Sequence, residues 1–375
     1  MEGYFDTNAT TPMHPAARAA WLETADRYWH NPSSLYRDAG HARQKLEDCR
    51  EQVADWLGCG PEEIIFLSGA TEANNALMAH TAATGGSPPA VSALEHPSLL
   101  EPARHRFGPQ LVDIPVKPNG IADLAALENL LAGHRPGLVS LMAANNETGV
   151  IQPWQEALAL CRQSGALFHC DAAQWIGKKP SAGLGACDYL TGSAHKFGGP
   201  KGIGFLKLPE SGRPWRWLRG GPQEDRRRAG TENLPAVAAM VAAWDARESS
   251  LTAAQEAAWL GARQHFEHNI RQLLPGIGVI AADAPRLWNT VLIAVPPPRN
   301  VKWLVRLSAL GFAVSTGSAC SRGAGASDVL RAMGLPDALQ EQVLRLSGSW
   351  ETTGSDWLAL AEALAAVART IDGPV

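Results

Sequence analysis

Ser193-Ala194-His195-Lys196-Phe197-Gly198-Gly199-Pro200-Lys201-Gly202 is the stretch on which the reading of the fold turns. It follows the run Tyr189-Leu190-Thr191, which reads as a strand, so Lys196 falls just past a strand's carboxyl end. Open α/β sheets bind their ligands in the crevice beyond those ends. Gly198, Gly199 and Gly202 allow close backbone approach beside the lysine. A lysine so placed can form a Schiff base when its surroundings lower its pKa. Taken alone, a surface lysine in a glycine turn fits equally well.

Working outward, short apolar runs recur on both sides. Ile64–Leu67, Ala90–Ser92, Leu111–Ile114, Leu138–Met142 and Leu167–Cys170 read as strands, with helix-length segments between several of them. In Pro153–Ser164 the residues Trp154, Ala157, Leu158 and Cys161 recur at helical spacing. Strands alternating with helices imply crossover connections and a largely parallel sheet covered on both faces. This predicts an α/β domain over 14–240. The rest, 1–13 with 241–375, reads as a smaller α+β domain. It has a helical stretch Ala236–His268, strand-like Asn289–Val295, a helix near Val301–Leu310, strand-like Phe312–Val314 and Gln342–Leu346, and a final helix. Two sub-domains suit 375 residues.

Three companion sites bear on Lys196. Asp171 follows the strand-like Leu167–Cys170, about 25 residues earlier. Pyridoxal phosphate (PLP) chemistry needs an acid that keeps the pyridine nitrogen protonated; a helix N-cap would equally favour Asp. Ser68-Gly69-Ala70-Thr71-Glu72-Ala73-Asn74 follows another strand and opens a helix, whose unpaired N–H groups favour an anion such as a phosphate. The third is Ser315-Thr316-Gly317-Ser318-Ala319-Cys320-Ser321-Arg322-Gly323-Ala324-Gly325-Ala326, small residues apart from the arginine, expected to form a mobile loop. Arg322 near Cys320 favours its thiolate.

Composition narrows the field. Net charge is −4 and the one dense basic run is Asp225-Arg226-Arg227-Arg228, which argues against a nucleic-acid surface. Met1–Asp6 has neither a basic nor an apolar stretch, so no secretory signal is expected, and with no run of about 18 apolar residues no membrane span is expected either. Six cysteines occur without any Cys-x-x-Cys pair, which predicts reduced thiols in the cytoplasm and no structural zinc. The five besides Cys320 are expected to be inert core thiols.

Together these motifs resemble the cysteine desulfurases, PLP enzymes of the aspartate-aminotransferase fold type I. The likeness runs through Tyr4–Thr11, Asn31-Pro32-Ser33-Ser34, Ser68–Asn74, Glu95-His96, Asn145–Gly149, Asp171–Gln174, Ser193–Lys196, Arg228–Asn233 and Ser318-Ala319-Cys320. Thr316–Cys320 is similar to the long-loop class that serves iron–sulfur assembly. The resemblance implies that Lys196 holds PLP and moves the substrate's α-proton, that His96 stacks on the pyridine ring and can carry protons, and that Asp171 pairs with the ring nitrogen. It gives Gln174 to the phenolic oxygen, and Ala70, Thr71, Ser193 and His195 to the phosphate side. Thr231 would be a phosphate ligand supplied by the other subunit of a homodimer, with Arg226–Arg228 close to that anionic site. Arg345 would clamp the substrate carboxylate, with Asn31 and Asn146 near it. Cys320 would receive sulfur from L-cysteine as a persulfide, leaving L-alanine. Delivery would go to a sulfur-acceptor protein, an iron–sulfur scaffold or a tRNA-thiolation enzyme.

Three features depart from the family pattern: Ser349-Trp350-Glu351 before Thr352-Thr353, a segment between Cys320 and Val329 about one residue shorter than the commonest form, and thirteen tryptophans, of which Trp215, Trp217, Trp288 and Trp303 are read as packing or interface residues. The competing readings are a PLP lyase or selenocysteine lyase that needs no loop thiol, and a catalytically silent sulfur-acceptor hub.

Overall fold

The computed structural model describes residues 3–209, 215–317 and 327–371. Among the described residues, ten strands form two sheets. The larger holds β1 (Ile64–Leu67), β2 (Ala90–Ser92), β3 (Val112–Ile114), β4 (Leu138–Ser140), β5 (Leu167–Asp171), β6 (Tyr189–Ser193) and β7 (Gly204–Lys207), in the spatial order β1-β7-β6-β5-β4-β2-β3. The pairs β3/β2, β2/β4, β4/β5 and β5/β6 are parallel, whereas β7 runs antiparallel to both β6 and β1. The sheet is therefore mainly parallel, mixed at one edge and flanked by helices. Burial on both faces explains why β1, β2 and β4 read as unbroken apolar or small runs. The helix Trp154–Ser164 buries Trp154, Ala157, Leu158 and Cys161, the four residues its spacing singled out.

The smaller sheet is antiparallel, in the order β10-β9-β8, from β8 (Gly278–Val279), β9 (Thr290–Ala294) and β10 (Val343–Ser347). Its core includes Phe5, Trp303, Trp357 and Leu360 beneath the helices Ala253–Leu273 and Gly354–Thr370. The chain's first residues run beside it, with Tyr4 bridged to Ala313 and Asp6 to Ser347. From there Asp6–Ala9 continues toward the carboxyl ends of the larger sheet, where Lys196 Nζ donates to Asn8 O and Ala9 O.

Three details differ from the sequence reading. Phe312–Val314 is no strand; Ala313 makes a single bridge. The stretch 236–268 belongs to two helices, Leu234–Ser250 and Ala253–Leu273, because Thr252 caps the second by accepting the Gln255 N–H at 3.2 Å. Strand β7 carries no alternation and follows a glycine-rich loop, so periodicity does not reveal it. The four tryptophans serve packing: Trp303 is fully buried and donates to Pro296 O at 3.1 Å, and Trp288 donates to Lys178 O at 2.9 Å. Among the described residues, no helix is long and apolar enough to cross a membrane.

Candidate active site

Four strand ends converge on one cavity of about 460 Å³. Strand β5 ends on Asp171 and β6 on Ser193, after which a tight turn, Ala194–Lys196, delivers the lysine. Beyond β1, Ser68-Gly69 leads into the helix Ala70–Ala83; beyond β2, His96 caps the helix Pro97–Phe107. Thr71, His96, Asp171, Gln174, Lys196 and Arg345 all line the cavity. Ala70, Asn146, Ser193 and His195 line it too.

Close backbone packing makes the cradle at Gly69 possible. Gly69 has φ 145°, and a Cβ at Gly204 would lie 2.7 Å from Gly69 Cα and 2.4 Å from Gly192 O. The β1, β6 and β7 ends can thus meet only through glycines. The opening turn of the helix Ala70–Ala83 presents unpaired N–H groups and a positive dipole end, with His195 and Lys201 across the cavity. Burial, then the charges of Lys196 and Lys201, holds His195 down to about 4, so it is neutral near pH 7. Its Nδ1 lies 3.1 Å from Thr10 Oγ1.

Asp171 serves two ends at once. Oδ1 accepts the Ala173 N–H at 2.9 Å within a turn, since no helix starts here for the N-cap weighed from sequence, while Oδ2 accepts Asn74 Nδ2 at 2.9 Å. Asn74 Nδ2 also donates to Ser98 Oγ at 3.0 Å, and Ser98 Oγ lies 2.9 Å from His96 Nδ1. His96 Nδ1 further accepts the Ser98 N–H at 3.1 Å. A ring nitrogen that accepts a backbone N–H is unprotonated, so the network assigns the proton of neutral His96 to Nε2. Burial lowers the His96 pKa; Asp171 opposes this, and Lys196 and Arg345 add to it.

Arg345 sits mid-strand in β10, 2% exposed. It donates to Asp6 Oδ1 at 2.7 Å and to Asn146 O at 3.1 Å. Its Nε is buried with no partner among the described residues. A buried guanidinium that lines an anion-binding cavity is suited to a carboxylate.

These donors fit PLP. A lysine amine, a carboxylate fixed by two hydrogen bonds, a helix N-terminus and a buried guanidinium line one space. They match the aldehyde, ring nitrogen, phosphate and amino-acid carboxylate such a cofactor and its substrate bring.

Not every expected residue joins them. Asn31 is exposed, its Oδ1 accepting the Ser33 N–H at 2.9 Å, and it does not line the cavity. Thr231, expected to serve the other subunit's site rather than this one, is exposed on an adjoining cleft with Ser68, Glu224 and Arg228. Two arginines of the basic run beside it are committed within the chain: Arg228 pairs with Glu72 at 3.0 Å, and Arg227 is buried against Glu62 O at 2.7 Å, while Arg226 is exposed. Cys320 lies outside the described residues. Of the other cysteines, Cys49, Cys161, Cys170 and Cys187 are buried and Cys59 partly so. Burial pushes Cys49 up to about 11 and Cys59 and Cys161 to about 12, as expected of inert thiols.

Sequence reasoning gave no role to Asp6, Asn8, Asn74, Ser98 or Lys178. Asp6, Asn8 and Asn74 fall inside quoted motifs, which was the available signal; Ser98 and Lys178 had none.

The Aminotransferase class-V family model matches residues 3–353. A cysteine desulfurase of Enterobacter agglomerans is 38% identical over 354 residues, spanning 92% of this chain and 87% of that protein. One from Rhodobacter capsulatus is 38% identical over 365 residues, spanning 94% and 93%. A solved structure titled NifS-like protein superposes with a TM-score of 0.89 at 29% identity, covering 98% of this chain and all of that one.

Proposed function

The chain belongs to the class-V aminotransferase family, and from that premise we propose that it is a PLP-dependent cysteine desulfurase, converting L-cysteine to L-alanine and passing the sulfur on. The observation that carries this is the convergence of Lys196, Asp171, the turn at Ala70-Thr71 and Arg345 on one cavity. When bound, the cofactor supplies an electron sink at the substrate's α-carbon.

The chain's own residues do the rest. Asp171 keeps the ring nitrogen protonated, and Gln174 donates to the phenolic oxygen. Ala70, Thr71, Ser193 and His195 hold the phosphate, completed by Thr231 from the second protomer of a homodimer. Arg345 takes the substrate carboxylate, with Asn146 beside it and Asn31 as a further contact. Lys196 carries the α-proton, and His96, protonated on Nε2, covers the ring and donates from that side. The Cys320 thiolate attacks the substrate sulfur: an S–S bond forms, the Cβ–S bond breaks, and the electron pair left on carbon is protonated on the way to alanine. A thiol reductant or an acceptor protein then removes the sulfur.

We further propose a large PLP-binding domain over 14–240 and a small domain of 1–13 with 241–375, supported by the separate cores of the two sheets. Unpaired cysteines support a cytoplasmic site of action. The acceptor is an iron–sulfur scaffold or a tRNA-thiolation enzyme, with no direct nucleic-acid or membrane contact.

With PLP, cysteine and a reductant, the protein should release alanine and sulfide in equal amounts; absence of alanine would refute the proposal. Cys320→Ser should abolish sulfide release and keep the visible absorbance of the holoprotein, whereas sulfide release at the wild-type rate would favour a lyase.

A further inference from the structure

A second lysine is buried behind the first. Lys178 is 5% exposed, and its Nζ donates to Gln174 Oε1 and, at 2.9 Å, to Asn8 Oδ1. Gln174 Nε2 donates to Asn8 O at 3.0 Å, the same carbonyl that receives Lys196 Nζ at 2.7 Å. Asn8 cannot turn over, because its Nδ2 donates to Thr290 Oγ1 at 2.9 Å while its Oδ1 also accepts Asn289 Nδ2 at 3.0 Å. The Trp288 indole holds the Lys178 carbonyl from behind.

The consequence falls on the Gln174 amide. Its oxygen is held on Lys178 and one amide hydrogen on Asn8, so the amide's orientation is fixed and the second Nε2 hydrogen is the donor left to present to the cavity it lines. An amide whose two ends could exchange would present an acceptor part of the time. We propose that Lys178 is a positioning residue for the reaction: it fixes Gln174 as a hydrogen-bond donor toward the phenolic oxygen of PLP and so lowers the proton affinity of the Schiff base at Lys196. This rests on the cofactor assignment made above. A donor stabilises the anionic form of that oxygen and weakens its hold on the neighbouring proton. The charged groups acting on Lys178 are Lys196 and Arg345, both cationic, and with burial they press it toward the neutral amine. A neutral amine still has two hydrogens for its two acceptors, so the clamp holds in either protonation state.

The test is a pH titration of the visible absorbance of the PLP-loaded protein, with no substrate present. Lys178→Met should raise the midpoint by about 1 pH unit, about tenfold in proton affinity. Lys178→Gln, which keeps an N–H donor on a side chain one atom shorter, should shift less than Lys178→Met. In a Gln174→Ala background, already raised, Lys178→Met should add nothing. An unchanged midpoint in Lys178→Met would overturn the proposal; so would an equal shift in the Gln174→Ala background, which would mean that the lysine acts by charge alone. If Lys178→Met does not fold, Lys178→Gln and Gln174→Ala still decide: an unshifted Gln174→Ala, or a Lys178→Gln shifted as far as Gln174→Ala, is fatal. A wild-type protein that takes up no PLP would instead defeat the cofactor assignment.

Discussion

The two sheets contribute to one cavity in different ways. The larger places its reactive groups at or past the end of a strand: Asp171 as the last paired residue of β5 and Lys196 three residues past β6. The smaller places Arg345 in the middle of β10, its backbone paired to Leu292 on one side and exchanging bonds with Ser315 on the other. A strand-end residue has loop backbone to adapt around it, whereas a guanidinium inside a buried strand carries a desolvation cost wherever it points. Asp6 and the Asn146 carbonyl offset that cost at two of its nitrogens, and Nε is left over. The large sheet thus supplies placement, and the small sheet supplies a charge that must be held in readiness.

If that contrast is right, the two halves should fail differently. Lys196→Ala should lower alanine release by at least about 10³-fold and abolish the borohydride-reducible chromophore. Arg345→Lys should keep the chromophore and lose chiefly substrate affinity, because a single ammonium cannot reproduce a two-pronged grip on a carboxylate. Loss of the chromophore in Arg345→Lys would break the comparison, as it would place the small sheet in cofactor binding. Absorbance spectra and steady-state kinetics on the same preparations separate the outcomes.

The same contrast governs what sequence could disclose. Groups at strand ends were legible because a strand's apolar run, its end and the next turn are contiguous: Ile64–Leu67 leads into Ser68–Asn74, and Leu167–Cys170 into Asp171. Strand β7 was not, because Lys207 interrupts the apolar pattern; that lysine is buried only because Glu63, at 3.2 Å, and the Cys187 carbonyl, at 2.7 Å, receive it. Arg345 was placed by family resemblance, not by periodicity. Its partner Asp6, and the Lys178–Asn8 bond, join residues 339 and 170 positions apart, and no local spacing encodes such pairs. The position of Asn31 outside the cavity follows from a local turn that satisfies its own side chain.

Acid should discriminate the sheets next. His169, in the middle of β5 and fully buried, is held by burial down to about 4, its Nδ1 2.8 Å from Ser140 Oγ. A histidine whose folded pKa lies below its unfolded value of about 6.5 leaves the unfolded state binding more protons between those limits. Stability from this residue is therefore complete above pH 6.5 and falls as the pH drops toward 4, by about 3 kcal/mol in all. Glu95, whose carboxyl is raised by burial and by Asp171, works in the opposite direction, so the measurement is a difference. Urea midpoints at pH 7 and pH 4.5 should fall further in wild type than in His169→Gln, which retains a partner for Ser140. Equal falls would remove His169 as the acid-sensitive point of the large sheet.

The smallest effect should come from Asp6, and it decides whether the small sheet's charge is supported or obstructed. Asp6 Oδ1 binds one Arg345 nitrogen and leaves Nε, so the guanidinium's orientation is set before a substrate carboxylate arrives. Hydrogen bonds to charged groups contribute about 1.5–3 kcal/mol, and about 1.4 kcal/mol corresponds to tenfold in affinity. If Asp6 is a support, Asp6→Ala should raise KM for cysteine about tenfold, leave kcat nearly unchanged and keep the holoprotein spectrum. If Asp6 competes with the substrate for the same nitrogens, its removal should lower KM. The first outcome is expected because the guanidinium is one rigid plane, so the bond to Asp6 sets the orientation in which its other donors meet a substrate carboxylate.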